Sequence, residues 1–580
     1  MKKITKKRIM AVLSAATVLL TSGVGTGISL NAAKADNATS ATVIVDEPFT
    51  DLNILTRTKG SYTADMVYTM IYDTLFTLDA NGNFAPNLVE TWEIIAEGGY
   101  SSWSPLELPS GEFAPGWEVP PEFVDLAIYD TNVTGIMICQ ILEGVTFQNE
   151  TPLTVDSLIA LVNYAKAQPT NTLIYQTWAP VTITYIDDYT FVLGVNMVNY
   201  NIGFIDVMFN LASPQGSIVD VGELGNGAAG YPLGTGAYTL EEIVTESTGD
   251  TTECYAVELE RWAGWRNVTE VPTQYVTFEY VENSNDAEMG VRSGDAAAAV
   301  VRDTIYNNQE LFYYWRRNDE WEEKRKYYAL EGNPLALYFN LDSEESIFGI
   351  TEYRQAVAAG MDKVIFRESG GLDFDSNGFW CYLQNSHSTT DIPVNNMNYA
   401  QSLIESAGVI IGGIQIDVVV YDDSYFANET AYQYYCSVRD TLRDYLEELF
   451  SYVVNVNMIE ASESQMATYE SNGNYDIMLK EIDLHNINSA HKTLYGKGSD
   501  DIDYWLDIAA RALDINTYML LHLQAQYYNY AEESYVTNLG WQKRALLLQD
   551  NVSGVEPYEG FCPTGSSSRL DFRFIEVTTN

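Results

Sequence analysis

GYPLGTGAYTL, residues 230–240, sets three glycines and a proline among tyrosine and leucine side chains, directly after the glycine-dotted run GELGNGAAG at 222–230. Glycines let backbone N–H groups approach an anion closely, so a phosphate-cradling loop is the first chemistry to test. The segment has no Gly-Lys-Ser/Thr ending and no GxGxxG opening a helix, which excludes a nucleotide site of either kind. Something other than nucleotide binding must explain the segment.

The N-terminus speaks to compartment. Lys2, Lys3, Lys6, Lys7 and Arg8 precede the apolar run IMAVLSAATVLL, and Ala33 and Ala35 give the small-x-small pattern of a cleavage site. That is the form of a secretory signal peptide over residues 1–35, its apolar core too short to span a bilayer comfortably. Removing it would leave 25 Lys plus Arg against 80 Asp plus Glu, a formal charge of −55. Such a surface repels phosphate backbones, so no nucleic-acid partner is expected. The five cysteines, at 139, 254, 381, 436 and 562, follow neither metal-ligand spacing nor a disulfide framework.

A chain of 580 residues with 46% hydrophobic composition exceeds what one core normally holds, so two or three domains are expected. Residues 100–123, rich in proline and aromatic side chains, read as a structured surface excursion. Thr154 is placed to cap a helix through VDSLIALVNYAKA, with Asp156 favourable at its N-terminal dipole, and DDYTFVLGV alternates as a strand. YALEGNPLALYFNL is strand-like, and EYRQAVAAGMDKVIFRE carries a helical stripe through Tyr353, Val357, Met361 and Val364. MNYAQSLIESAG reads as a short helix closed by Gly408. The succession GIQIDVVVYD, AYQYYCSVRDTLRDYLEELF, YVVNVNMIE, SQMATYESNG and YDIMLKEI alternates strand and helix, the pattern of α/β packing.

These segments, in this order, resemble the extracellular solute-binding proteins of family 5, which serve ABC importers of oligopeptides, dipeptides and nickel. The resemblance runs from DLNIL through VYTMIYDTLFTLDANGNFAPNLVETWEI, LEGVTFQNETPLTVDSL and YPLGTGAYTL to VELERWAGW, and continues in VTFEYVENSNDAEMGVRSGDAAAAV, ALYFNL, AQSLIESAGV, GNYDIML and SSSRLDFRFIEV. It implies an α/β, two-lobed, periplasmic-binding-protein-like clamp with mixed sheets and an enlarged first lobe. The first lobe with its inserted subdomain is expected over 41–325, the second lobe over 326–539, and a C-terminal return to the first lobe over 540–580. Two strands crossing between the lobes act as the hinge, and closure over the solute presents a surface to a membrane permease. The resemblance thus implies a monomeric receptor for a peptide or similar small solute, without cofactor and without catalysis, exported to the outer face of the cytoplasmic membrane or to the periplasm.

The same resemblance directs attention to site residues. Relatives that bind peptides hold the ligand ammonium with an aspartate shortly after the strand matching YDIML. Here KEIDLHNIN follows, placing His485 at the aspartate's position and Asp483 two residues before it. A cleft carboxylate facing an ammonium offsets a desolvation cost that neither charge bears alone, which favours Asp483. Near the mature N-terminus the resemblance points to Thr58, Ser61 and Tyr62, and Trp380 and Tyr382, between the two second-lobe helices, are further aromatic candidates. A tyrosine stacks and hydrogen-bonds at low ordering cost, although 41 tyrosines make any one of them more often a packing residue.

Two other readings stand beside this one. A secreted carbohydrate-active enzyme would need paired carboxylates, which eighty acidic residues supply without discriminating power. There is no GxSxG elbow and no HExxH helix. A binding protein for sugars or nickel chelates is the second alternative, but the four histidines, 387, 485, 491 and 522, show no tight ligand spacing and no metal site is assigned to them.

Overall fold

The computed structural model describes residues 39–578 apart from 50–51, 59, 80–82, 95–134, 197–199, 201, 223–230, 249–250, 303–325, 342–345, 363, 367–371, 374–394, 409–412, 427–428, 452, 482–499, 511, 513–514, 516, 519–520, 523–524, 526–528, 530–533 and 556–569. The proposed signal peptide and the excursion at 100–123 lie outside the described residues.

Strand β1 (Ser40–Val45) alternates toward a buried face and is followed by helix α1 (Tyr62–Ile71), whose side chains are almost all buried. A hairpin, β2 (Phe76–Leu78) and β3 (Phe84–Pro86), leads to β4 (Val89–Ile94) and β5 (Gly135–Ile141). Helix α2 (Val155–Lys166) begins at Thr154, whose backbone N–H donates to Ser157 Oγ at 3.3 Å, so the expected cap is present as a capping box. After α3 (Leu173–Trp178), strands β6 (Val181–Tyr185) and β7 (Thr190–Val195) complete a four-stranded antiparallel sheet in the order β4-β5-β7-β6. Helix α4 (Phe204–Ala212) then leads back to the principal sheet.

That principal sheet begins with the hairpin β8 (Tyr238–Thr248) and β9 (Thr251–Arg261), then β10 (Tyr275–Tyr280), helix α5 (Ser284–Ser293) and β11 (Ala298–Arg302). The long strand β12 (Lys326–Phe339) passes on to helix α6 (Thr351–Gly360), the short β13 (Leu372–Asp373) and helix α7 (Met397–Ala407). Strand β14 (Ile414–Tyr421), helix α8 (Glu429–Leu449), β15 (Val454–Ala461), helix α9 (Glu463–Asn472) and β16 (Ile477–Glu481) follow in the strand and helix alternation read from the sequence. Helix α10 (Asp500–Ala509) and the second long strand β17 (Val536–Leu548) close the circuit. Helix α6 stops at Gly360, earlier than the apolar stripe suggests: Met361 is buried beyond its end and Val364 is exposed.

The sheet order is β15-β14-β16-β12-β17-β11-β1-β10-β9-β8, with β13 on β17. Among the described residues, strands β12 and β17 run through both halves. Residues 326–331 of β12 pair with 544–548 and 543 of β17, beside β11, whereas 335–339 lie against β16. The register shifts between Glu331 and Pro334 and again between Leu335 and Ala336, so the ladder is interrupted where the strands pass from one half to the other. On either side of that point the buried side chains form separate clusters. The first gathers β1, β5, β7, β9, β10, α1, α2 and α4; the second gathers β14, β15, β16, α6 and α8. The architecture is the expected α/β, two-lobed clamp.

The opening stretch has a structural answer. Gly236 N–H donates to Ile71 O at the end of α1 at 2.9 Å, and Gly234 N–H donates to Gln148 Oε1 at 3.1 Å. Gln148 in turn donates to Ile71 O and Tyr238 O, and Tyr72 hydroxyl donates to Pro232 O. A Cβ on Gly234 would overlap Ile71 O and the Tyr72 ring, and one on Gly236 would overlap the Ile71 carbonyl. Thr235 Oγ1 donates to Asp73 Oδ2, and the same buried carboxylate pairs with Arg266 and, at 2.9 Å, with Arg573 near the C-terminus. The motif is a knot that ties α1, the loop at 146–152, β8 and the C-terminal segment together.

Candidate functional site

In an open α/β sheet a ligand site forms beyond the carboxyl ends of strands, where the order of connections changes. The passage of β12 and β17 between the two clusters is such a place. Strand β16 ends at Glu481 opposite Leu335 of β12, and β13 pairs through Leu372 and Asp373 with Gln542 and Trp541 of β17. On the first-lobe side, β1 ends at Val45, directly before Asp46 and Glu47, two strands from β17 across β11.

The first-lobe wall is built on charge. Arg544 of β17 pairs with Glu47 at 2.6 Å and lies 4.0 Å from Asp46, and its guanidinium carbon sits 3.4 Å from the centre of the Tyr62 ring, a close cation–π stack. Tyr62 hydroxyl donates to Asp46 Oδ1 at 2.9 Å, and Ser284 hydroxyl donates to Asp46 Oδ2 at 2.6 Å. Burial and the neighbouring Asp46 push the Tyr62 phenol well above its ordinary pKa, so it stays a donor at any physiological pH. Arg544 Nη1 is buried and has no hydrogen-bond partner among the described residues.

The loop between β1 and α1 is held from below. Arg57 is 1% exposed, pairs with Asp65 at 2.6 Å, donates to Ser61 O at 3.2 Å and lies over the Tyr68 ring. Its own carbonyl accepts from Leu173 N–H at 2.8 Å. A rigid base of this kind presents the neighbouring loop residues in one geometry. Thr58 is exposed at its tip. Ser61 is the N-cap of α1, its hydroxyl accepting from Ala64 N–H at 3.3 Å. Of the three first-lobe candidates, Ser61 and Tyr62 are thus engaged in the wall itself, and Thr58 is the one open to solvent.

The second cluster is aromatic at the carboxyl end of β14. Tyr421 ends β14 and stacks on Tyr425 with ring centres 3.7 Å apart and planes 9° from parallel; Phe426 and Tyr435 close the cluster edge-on or tilted. Burial, with Glu481 at the end of β16 the next largest cause, raises the Tyr421 phenol pKa. Trp380, Tyr382, Asp483 and His485 lie outside the described residues; the first two follow β13 and the last two follow β16.

Sequence reasoning missed Asp46, Glu47, Ser284 and Arg544. The only signal was an acidic pair ending an apolar strand and a lone arginine within WQKRALLL, some 500 residues away, and nothing in either stretch names the other. A hollow of about 250 Å³ between α1 and β8, lined by Tyr68, Tyr72, Tyr231 and Ile243, is a separate feature of the first lobe. Its Gln148 amide and Tyr72 hydroxyl donate to backbone carbonyls. Among the described residues no cluster of ligating side chains could hold a metal ion, and no helix is long and apolar enough to cross a membrane.

With this geometry in place, comparison with known proteins adds the following. The sequence profile described as "Bacterial extracellular solute-binding proteins, family 5 Middle" matches residues 136–498. No curated protein matches the chain. Among solved structures, AgaA of A. tumefaciens R10 in complex with agropinic acid superposes with a TM-score of 0.61 at 14% identity, over 93% of this chain and 99% of that one. Haemophilus influenzae OppA in complex with the peptide RPPGFSPFR gives 0.60 at 14%, over 94% and 100%. NikZ of Campylobacter jejuni in complex with Ni(L-His) gives 0.60 at 14%, over 91% and 98%. At such identities these three establish a shared fold, and their different ligands leave the solute of this chain open.

Proposed function

We propose, from the premise that the chain belongs to the bacterial extracellular solute-binding proteins of family 5, that it captures a peptide or a similar cationic organic solute between its lobes. As a member of that family it is an extracytoplasmic receptor that delivers a small solute to an ABC importer, and it is a transport receptor rather than an enzyme. The solute reading takes the acidic group after β1, where two carboxylates, Asp46 and Glu47, outnumber the single Arg544 cation, as one side of the cleft and the stacked Tyr421 and Tyr425 after β14 as the other. Acidic groups favour an ammonium, and aromatic faces accept apolar or cationic side chains without demanding one sequence. Thr58, Trp380, Tyr382, Asp483 and His485 are proposed as further contacts, with Ser61 and Tyr62 shaping the wall.

The proposed organisation keeps a signal peptide at 1–35, a first lobe at 41–325, a second at 326–539 and a return at 540–580. The first cluster's use of Leu546, Leu548, Val552, Leu570 and Phe572 supports the return, and the second cluster's run from Leu335 to Leu479 supports the second lobe, while Ile502, Leu506, Tyr518 and Leu521 join the first cluster. A monomer held at the outer face of the cytoplasmic membrane is the proposed working state. Calorimetric titration with a panel of tripeptides, saccharides and nickel-histidine complexes tests the solute class. Peptide binding that weakens on Asp46→Asn supports the proposal, and binding restricted to neutral saccharides overturns it.

A further inference from the structure

Tyr68 and Tyr72 stand four residues apart at the end of α1 and so share one side of the helix, their ring centres 5.7 Å apart. Tyr231 of the glycine-proline stretch comes to the same place: burial raises the pKa of both α1 phenols, and the nearby Tyr231 adds to the rise in each. With Ile71 of α1 and Leu240 and Ile243 of β8, these three rings line the hollow of about 250 Å³. Strands β11, β1, β10 and β9 separate β8 from the crossing strand β17, so the hollow stands apart from the interlobe cleft. Its walls are pinned from outside. Tyr72 hydroxyl donates to Pro232 O at 3.0 Å, and Gln148 Nε2 donates to Ile71 O at 3.1 Å and to Tyr238 O at 2.7 Å. A concavity held by such bonds is pre-formed, as small-molecule sites are.

We propose that this hollow is a second ligand site, which takes a small organic ammonium ion with an apolar body. Among the described residues that line it, Glu241 alone carries a charge; it is exposed, and Thr239 hydroxyl donates to its Oε1 at 3.0 Å. Aromatic rings attract a cation to their faces, and most strongly where water is excluded. Both α1 phenols stay neutral at physiological pH, so they present rings and hydroxyls rather than fixed charge. Ile71, Leu240 and Ile243 receive the carbon skeleton, and burying it there adds the hydrophobic contribution. An anion meets Glu241 and no cation among the same residues. Arg57 lies 5.2 Å from the centre of the Tyr68 ring, but its charge is paired with Asp65 at 2.6 Å and so does not oppose a cation in the hollow. An apolar cavity of about 150 Å³ admits benzene, so the volume here suits a molecule of the size of choline.

Choline is the probe, and 3,3-dimethylbutan-1-ol, its uncharged counterpart of the same shape, is the control, each titrated calorimetrically into the purified protein. Choline is expected to bind about tenfold more tightly than the alcohol. Glu241→Gln should weaken choline about threefold, as befits a carboxylate in contact with water, and Ile243→Trp, which fills the hollow, should abolish binding. Absence of choline binding, equal affinity for choline and the alcohol, or choline binding unchanged in Ile243→Trp overturns the proposal. Should thermal unfolding show that Ile243→Trp does not fold, Glu241→Gln decides: a lowered choline affinity supports the site and an unchanged one overturns it. Asp46→Asn separates the hollow from the cleft. Choline binding that falls in Asp46→Asn and persists in Ile243→Trp places the cation in the cleft and overturns the second site. Binding lost in Ile243→Trp and kept in Asp46→Asn supports it, even in a protein that binds none of the peptides of the titration panel.

Discussion

Single residues show how an apparently flexible stretch is made necessary. Gly234 and Gly236 lie in GYPLGTGAYTL because their α-carbons pass against the Ile71 carbonyl with no room for a side chain. Gly236→Ala is expected to destabilise the protein by about 2–4 kcal/mol, read from the urea midpoint at unchanged slope, because the clash is with backbone that cannot swing aside. Buried ion pairs give a second case. Asp65→Asn removes the carboxylate paired with the buried Arg57 guanidinium and is expected to cost about 3–5 kcal/mol, with faster amide exchange along 53–61. Asp476 runs the other way. Burial, with Asp417 nearby, raises its pKa against the opposing Ser346 and Asp417 N–H bonds, so the folded state holds its proton more tightly than the unfolded chain. Its ionised form is therefore a liability at neutral pH, relieved as pH falls through the raised value toward about 4, where the unfolded carboxyl also protonates. Asp476→Asn should raise the unfolding midpoint at pH 7, with the gain vanishing near pH 4 in parallel melts. An equal gain at both values would contradict that account.

At the level of elements, local signals marked most helices and strands correctly, because caps and periodicity are written within a few residues of where they act. Thr154, Gly408 and Gly473 sit where a helix begins or ends, the last two at φ +128° and +66°. Asn396 caps α7 by accepting Tyr399 N–H at 3.0 Å, and Asn396→Ala should cost about 1 kcal/mol. The early end of α6 was not legible: the apolar spacing continues past Gly360, but Gly360 packs against Ala400 and Tyr445, and the chain turns there to let Asn396 N–H reach Ala359 O. The crossing strands were expected, but their anchor was not. Arg544→Leu is predicted to lower stability by about 2–4 kcal/mol, since Glu47 and Asp46 lose their cation at a largely buried site. Chemical denaturation of the variant checks it, and the Glu47→Gln, Arg544→Leu double variant should recover part of the loss.

For the molecule as a whole, charge is the dominant global property. A formal net charge of −49 means extensive self-repulsion in the compact state, spread over both lobes. Raising sodium chloride from about 20 mM to about 500 mM should therefore raise the melting midpoint, because screening shortens the repulsion to within a Debye length. A midpoint that falls or stays flat would mean that attractive surface pairs outweigh the excess.

The sequence by itself determined the α/β alternation and the family. Each of these is carried by residues near one another in the chain or by the order of motifs along it. Tertiary structure alone decided which carboxylates meet Arg544, that the Ser61 hydroxyl caps α1 and the Tyr62 hydroxyl meets Asp46, and that Ile502, Leu506 and Tyr518 join the first cluster, Tyr518 reaching Asp206 of α4. Asp46 and Arg544, or Asp206 and Tyr518, are brought together only when the sheet has closed its strand order over hundreds of intervening residues. A charge or hydroxyl carries no mark of its partner, because pairing energy depends on distance and burial, and both come into being only with the packed fold.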